Sequence, residues 1–246
     1  MTVSPFDDLA EAYDRFRIGY ADDVYDALVE YGVSPQARVL DLACGTGLVA
    51  KEIAGRGAAV TGIDISEPMI VRARVRVPDA SFEVGSAEAL SFADASFDAA
   101  TCAQAFHWLD QPRALAELAR VVRPGGIVAV WWKGLMRGDG MRQIREDIAR
   151  EVGLDPPPDL LAAGFEAFER SRFVDRRLRV IPWRVTLSVE DFLGYESSRA
   201  RSRDAYGERL GEYMERLARR LHAGSDDVDL SYTHLLYLGR VPAKRT

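Results

Sequence analysis

The 246-residue chain predicts an α/β fold, a mostly parallel sheet with helices on both faces, and three observations carry that expectation. Arg38 to Ala50, RVLDLACGTGLVA, is an apolar strand that ends in an acid and breaks into a glycine-rich turn before a helix. Downstream, apolar runs alternate with helical patterns as far as Trp132, the rhythm of parallel strands joined by crossover helices. A hydrophobic content of 48% at this length is enough to bury a sizeable core, as one domain or as a domain with an insertion.

Taken in order, Ser4-Pro5-Phe6-Asp7 offers a capping residue, proline at the first helical position and an acid in the first turn. A helix should follow with Phe6, Leu9, Ala10 and Tyr13 on one face, and a second helix over Asp22 to Tyr31 should stop at Gly32. Strands are expected at Arg38–Leu42, Ala59–Ile63, Ser81–Val84, Phe97–Cys102 and Ile127–Trp132, with helices at Gly47–Ala54, Glu67–Val75 and Gln111–Val122 between them. Right-handed crossovers then gather the strand C-termini, with Asp41, Asp64, Gly85 and Ala103, along the edge where open α/β sheets bind ligands. Beyond Trp132 the rhythm changes. Helical patterns at Asp139–Val152 and Asp159–Arg170 flank the break Asp155-Pro156-Pro157-Pro158-Asp159, and a strand follows at Leu178–Leu187. Ser188 with Asp191 marks a helix start, a long charged helix is expected from Ser202 to Leu221, and Asp229–Gly239 returns as a seventh strand.

The glycine turn speaks to chemistry. Gly45, Gly47 and Ala50 fit G-x-G-x-x-G/A, and Asp64 ends a second apolar run about 20 residues on. Asp41 sharpens the pattern, because a carboxylate at the strand end repels a pyrophosphate but suits a ligand presenting an amine and a sulfonium. S-adenosylmethionine is such a ligand.

The stretches DLACGTG at Asp41, VTGIDIS at Val60, GSAEALSFADASFDAA at Gly85, QAFHW at Gln104 and RVVRPGG at Arg120 occur in that order. Together they resemble class I S-adenosylmethionine-dependent methyltransferases, in particular small-molecule enzymes of the ubiquinone-biosynthesis-like and trans-aconitate-methyltransferase-like kind. The resemblance covers roughly the first half of the chain closely and the second half loosely. Two positions depart from it: Ser86 stands where many relatives have an aspartate facing adenine, and Ala43 replaces a glycine. It implies a Rossmann-like seven-stranded sheet whose last strands include an antiparallel pair, with a helical lid inserted in the C-terminal half. The organisation it suggests is N-terminal lid helices over 1–36, a cofactor-binding core over 37–134, a substrate-covering region over 135–225 that includes a late core strand, and a final antiparallel strand and tail over 226–246.

Residue by residue, the resemblance puts the methionine ammonium of the cofactor near Asp41 or the Ala43 carbonyl, with Gly45 and Gly47 giving backbone access. Asp64 offers two acceptor oxygens to the ribose hydroxyls. Ile65 and Met69 supply apolar contact for adenine, Ser86, Ala87 and Glu88 frame its edge, and Ala103 closes the strand-end wall. Tyr13 and Arg17, four apart on the first helix, match an N-terminal Tyr/Arg lid that reaches the methionine carboxylate. Phe106-His107-Trp108 falls beside the methyl group. Trp131 and Trp132 border the same edge, and alternation turns one of the pair away from it. Tyr20, His107, Trp108, Trp132, Tyr195 and Arg199 are the candidate substrate contacts, with Lys133 beside them, and a carboxylate would suit Arg199. His107 is the candidate catalytic residue. Two roles stay open for it, a base that deprotonates a hydroxyl, phenol or amine, and a ring that only orients its neighbours.

The expected activity is methyl transfer to a small organic acceptor, first to oxygen of a carboxylate or a hydroxyl, with N- or C-methylation and a non-catalytic cofactor-binding protein as alternatives. An NAD(P)-dependent oxidoreductase on the same glycine pattern leaves QAFHW and RPGG without a role. Net charge −6 argues against a sequence-independent nucleic-acid partner. The Arg-rich stretch from Arg170 to Arg220 is interleaved with acids and reads as a solvated face. No apolar run approaches a membrane span, the start lacks a signal-peptide pattern, and no metal site is expected. A cytoplasmic setting follows, with Cys44 and Cys102 as reduced core thiols and His222 and His234 as structural residues. The oligomeric state has no signature in the sequence.

Overall fold

A computed structural model describes residues 7–156, 166–224 and 226–243. Seven strands form one sheet: β1 (Arg38–Leu42), β2 (Ala59–Asp64), β3 (Ser81–Val84), β4 (Phe97–Ala103), β5 (Val122–Leu135), β6 (Val174–Ser188) and β7 (Asp227–Arg240). Their order across the sheet is β3-β2-β1-β4-β5-β7-β6. The first five pair in parallel, and β7 runs antiparallel to both of its neighbours, β5 and β6.

The helices are α1 (Ala10–Phe16), α2 (Asp22–Tyr31), α3 (Leu48–Gly55), α4 (Glu67–Arg76), α5 (Gln111–Val121), α6 (Gly140–Glu151), α7 (Glu166–Glu169), α8 (Val189–Ser197), α9 (Ala200–Tyr206) and α10 (Leu210–His222). Their ends follow local chemistry. Gly32 closes α2 in the left-handed region, where a side chain would be strained. Ser66, Asp110, Asp139 and Ser188 each accept a backbone N–H at the start of α4, α5, α6 and α8.

Three apolar clusters hold these layers. One packs α2, α3 and α4 on a sheet face, the second packs α5 on the other, and the third joins α6, α8 and α10 to the ends of β5 and β7. In α10, Tyr213, Leu217 and Leu221 recur every four residues on the buried face. Helix α1 docks on α8 at Gly194, where a Cβ would collide with the Phe16 ring. The N-terminal segment is thereby tied to the C-terminal helices above the sheet edge.

Several sequence expectations change. The long helix over Ser202–Leu221 is two helices, α9 and α10, because the backbone at Gly207 takes φ 49 and ψ −130 and no helix continues through it. Strand β5 starts at Val122 rather than Ile127: Arg123-Pro124-Gly125-Gly126, which lay between the expected helix and strand, belongs to the strand, with a register shift between Phe97 and Ala99 on β4. Of the helix expected over Asp159–Arg170, only Glu166–Glu169 is helical among the described residues. Ser4, Pro5, Phe6, Pro157, Pro158 and Asp159 lie outside the described residues. The chain enters α1 through a short 3-10 turn at Asp7–Leu9.

Candidate active site

The C-terminal ends of β1, β2, β4 and β5, with α1, α6, α8 and α9 above them, enclose a cavity of about 410 Å³. One end is built on strand-end loops. Ala43 and Gly45 both have positive φ, 53 and 54, so the chain after β1 reverses sharply and leaves its backbone open. A Cβ added to Gly45 would meet only the Tyr13 ring, at 3.8 Å, which puts Tyr13 over the turn as a cover. Asp64 clamps this loop. Its Oδ2 accepts the Gly45 N–H and its Oδ1 the Ser66 N–H, each at 2.9 Å, while each carboxylate oxygen keeps a further lone pair. Burial raises the Asp64 pKa against the opposing pull of those N–H donors. Ile65, Met69, Ser86, Ala87, Glu88 and Ala103 complete the wall. Glu88 is fixed by the Ser86 hydroxyl and by the Asp110 N–H at 3.0 Å.

Asp41 lies behind this wall, not in it. It is buried, opposite Gly62 and Thr101 in the sheet. Its Oδ1 accepts from the Thr101 hydroxyl at 2.9 Å and its Oδ2 has no partner among the described residues. Burial pushes its pKa up to about 7. Gly47 does not line the cavity either, and packs on Ala73 and Phe82 at φ 79. Both Cys44 and Cys102 are buried and free.

The other end is lined by His107, Trp108, Lys133, Arg145, Tyr195 and Arg199, and by Arg17 from the loop after α1. The Trp132 indole donates to His107 Nδ1 at 3.2 Å. Indole has no acceptor, so the direction of this bond is forced, and a neutral His107 carries its proton on Nε2. That nitrogen is buried without a partner among the described residues. Burial, with the charge of Arg201, pushes the His107 pKa down to about 4. The ring therefore faces the cavity as a neutral N–H donor.

Trp132 is a support for His107 and not a cavity residue. Trp131, on the opposite sheet face, packs edge-on against Tyr20 with centroids 5.6 Å apart. Neither tryptophan lines the cavity, nor does Tyr20. Lys133 Nζ instead donates to the Ile18 and Gly19 carbonyls at 2.8 and 2.7 Å, inside a ring of Tyr20, Trp183, Tyr195 and Tyr232. Burial first, and the neighbouring Arg17 second, push its pKa down.

Gln104, Arg145, Tyr206 and Tyr232 also line the cavity, and of these the sequence singled out only Gln104, as the first residue of QAFHW and without a role in the site. Gln104 takes φ 56 and donates to the Lys133 carbonyl at 2.9 Å. Its position after β4, parallel to that of Ala43 after β1, was the available signal. Arg145 gave none, since it sits in a charged helix that resembles a solvated one.

A methyltransferase-domain family model matches residues 40–130. The chain is 36% identical over 175 residues to an uncharacterized methyltransferase of Synechocystis, covering 66% of this chain and 82% of that protein. It is 35% identical over 147 residues to one from Mycobacterium tuberculosis, covering 60% of this chain but only 58% of that relative's length. Among solved structures, a putative type II methyltransferase from Anaeromyxobacter dehalogenans superposes with a TM-score of 0.73 at 28% identity, over 93% of this chain and 99% of the other.

Proposed function

The chain belongs to the class I S-adenosylmethionine-dependent methyltransferases, and from that premise we propose that it methylates an oxygen of a small organic acceptor that arrives already ionised. The observation that carries this reading is the Trp132–His107 bond. With Nδ1 occupied and a pKa near 4, His107 has no lone pair to offer as a base at neutral pH. It offers a hydrogen bond, which suits an anionic oxygen. A carboxylate, with an ordinary pKa near 4, is ionised without help.

The strand-end half of the cavity fits the cofactor. Asp64 and Glu88 are hydrogen-bond acceptors for hydroxyl and amino groups, Ile65, Met69 and Ala87 give an apolar surface for a flat base, and the unpartnered Asp41 Oδ2 behind the turn favours a cationic ligand. Gly45 would let that ligand approach the backbone, and Tyr13 would cover it. Bound there, S-adenosylmethionine supplies a methyl group on a sulfonium that departs as a neutral thioether. The chain's own residues hold the acceptor oxygen in line through His107 and exclude water with Trp108 and the covering helices. We assign the cover to residues 135–225, with α1 closing the other side. The two reduced thiols fit a cytoplasmic enzyme.

The test is turnover of the full chain with S-adenosylmethionine and a panel of carboxylic acids, phenols and amines, read by mass. Formation of S-adenosylhomocysteine with a methyl ester supports the reading. A methylated nitrogen or carbon replaces it with the N- or C-transfer alternative, and cofactor binding without any turnover points to a binding protein. Calorimetry with NADH gives no heat of binding if the oxidoreductase reading is wrong.

A further inference from the structure

Six cationic side chains line the cavity, Arg17, Lys133, Arg142, Arg145, Arg199 and Arg201, with Glu146 paired to Arg142 among them, and the buried Glu196 pairs with Arg145 and Arg199. Glu196 Oε1 takes Arg199 at 2.7 Å, Arg145 at 3.0 Å and the Ser202 hydroxyl at 3.2 Å. One carboxylate thus holds two guanidinium groups. Arg145 keeps a buried Nε, and Arg17 a buried Nη1, with no partner among the described residues. The Arg17 guanidinium lies 5.2 Å from the centre of the Tyr195 ring, and Lys133 Nζ lies 5.8 Å from the same centre. Among the described residues, Lys133 itself donates only to backbone carbonyls. Tyr195 precedes Glu196 on α8, so Arg17, Lys133, Arg145 and Arg199 all lie close to one short segment.

Buried charge without a counter-charge is costly. On the resemblance the cofactor's single carboxylate falls to Arg17, which leaves Arg145 and Arg199 sharing the one charge of Glu196. Resting on the methyl-transfer reading above, we propose that the acceptor carries a second oxyanion that is not methylated and that docks against Arg145 and Arg199. The chemistry separates the two roles. An oxygen held by charge-assisted bonds to arginine has its lone pairs drawn away from the methyl carbon and is a poor nucleophile. The reacting oxygen belongs beside the neutral His107 N–H and the Trp108 wall. A group anchored on arginine keeps its charge through turnover and fixes the acceptor's orientation.

The experiment uses calorimetry on the full chain, with and without saturating S-adenosylhomocysteine. The probes are malonate, succinate, glutarate and adipate, their half-amides and diamides, and benzoate against phenyl phosphate. At least one diacid is expected to bind roughly tenfold to a hundredfold more tightly than its half-amide. Arg199→Gln should erase that preference and leave the S-adenosylhomocysteine affinity unchanged. Arg145→Gln combined with Glu196→Gln, which leaves no orphaned buried carboxylate, should do the same. Phenyl phosphate binding above benzoate, lost in both variants, would identify the docked oxyanion as a phosphate. Diamides that bind as well as the diacids throughout the series, or a diacid preference that survives in both variants, would overturn the proposal. The readings stay separable: diacid preference in a protein that ignores S-adenosylhomocysteine fails the methyltransferase reading alone, and the converse fails the oxyanion site alone.

Discussion

The two ends of the cavity are made differently. The strand-end half is built from backbone turns at Ala43 and Gly45 and from acids, Asp64 and Glu88, that close parallel strands or the loops just after them. The helical half is built from long side chains, Arg17, Lys133, Arg145 and Arg199, reaching in from several separate elements. One end is acidic and the other, where Glu146 is the lining carboxylate among several arginines, is predominantly basic. A charge gradient of this kind sorts ligands before any close contact forms: a net cationic cofactor is favoured at one end and an anionic acceptor at the other.

The largest expected effect breaks the acidic end. Because burial raises Asp41 from about 3.8 to about 7, the group's contribution to stability is complete below pH 4 and is lost as pH rises through 7. That amounts to about 4 kcal/mol on the scale of 1.4 kcal/mol per unit. Denaturant unfolding of Asp41→Asn should show the variant gaining on the wild type by that order between pH 4 and 8. A cationic ligand reverses the shift, so binding S-adenosylmethionine near pH 6.5 should release protons, visible as a dependence of the binding heat on buffer ionisation. Equal heats in all buffers would remove Asp41 from the cofactor's field.

Asp64→Ala sharpens the same end. It should weaken S-adenosylmethionine binding by about 1.5–3 kcal/mol with the fold intact, by calorimetry. An unchanged affinity in a folded variant would leave Asp64 as only a clamp for the Gly45 turn.

At the other end, His107→Gln can reproduce both bonds, an oxygen for the Trp132 indole and an N–H for the cavity. Single-turnover transfer should stay within about tenfold of wild type and the pH profile should keep its shape. A loss of about 10²–10⁴, with the acidic limb abolished, would restore the general-base role. The smallest effect concerns the turn itself. Ala43→Gly relieves a positive φ and should stabilise the protein by up to about 1 kcal/mol by thermal or chemical unfolding. A destabilised variant would mean that the Ala43 methyl packs against something the turn needs.

How much the sequence revealed follows the same division. Every strand of the sheet was legible, and α2 was read to the residue, because Gly32 can end a helix where few other residues can. The acidic end was legible for a related reason: turns and strand ends have local residue requirements, and Gly45, Asp64 and Ser86 stand at those places. Gly47 and Trp132 show the limit, since neither lines the cavity: one packs on Ala73 and Phe82 and the other bonds His107. The basic end was read only in part. Arg199 was found, but Arg145 was not, because an arginine on a charged helix looks solvated until its neighbour is known. Here that neighbour is Glu196, about 50 residues on and fully buried. The break at Gly207 was missed for a similar reason, since the charged pattern on either side continues across it.

The charge gradient is tested most directly by locating both ligands at once. A crystal structure of the full chain with S-adenosylhomocysteine and the tightest-binding diacid should place the nucleoside against Gly45, Asp64 and Glu88, with one carboxylate of the acid within hydrogen-bond distance of Arg145 or Arg199. An acid seated at Asp64, or outside the cavity altogether, would contradict the account.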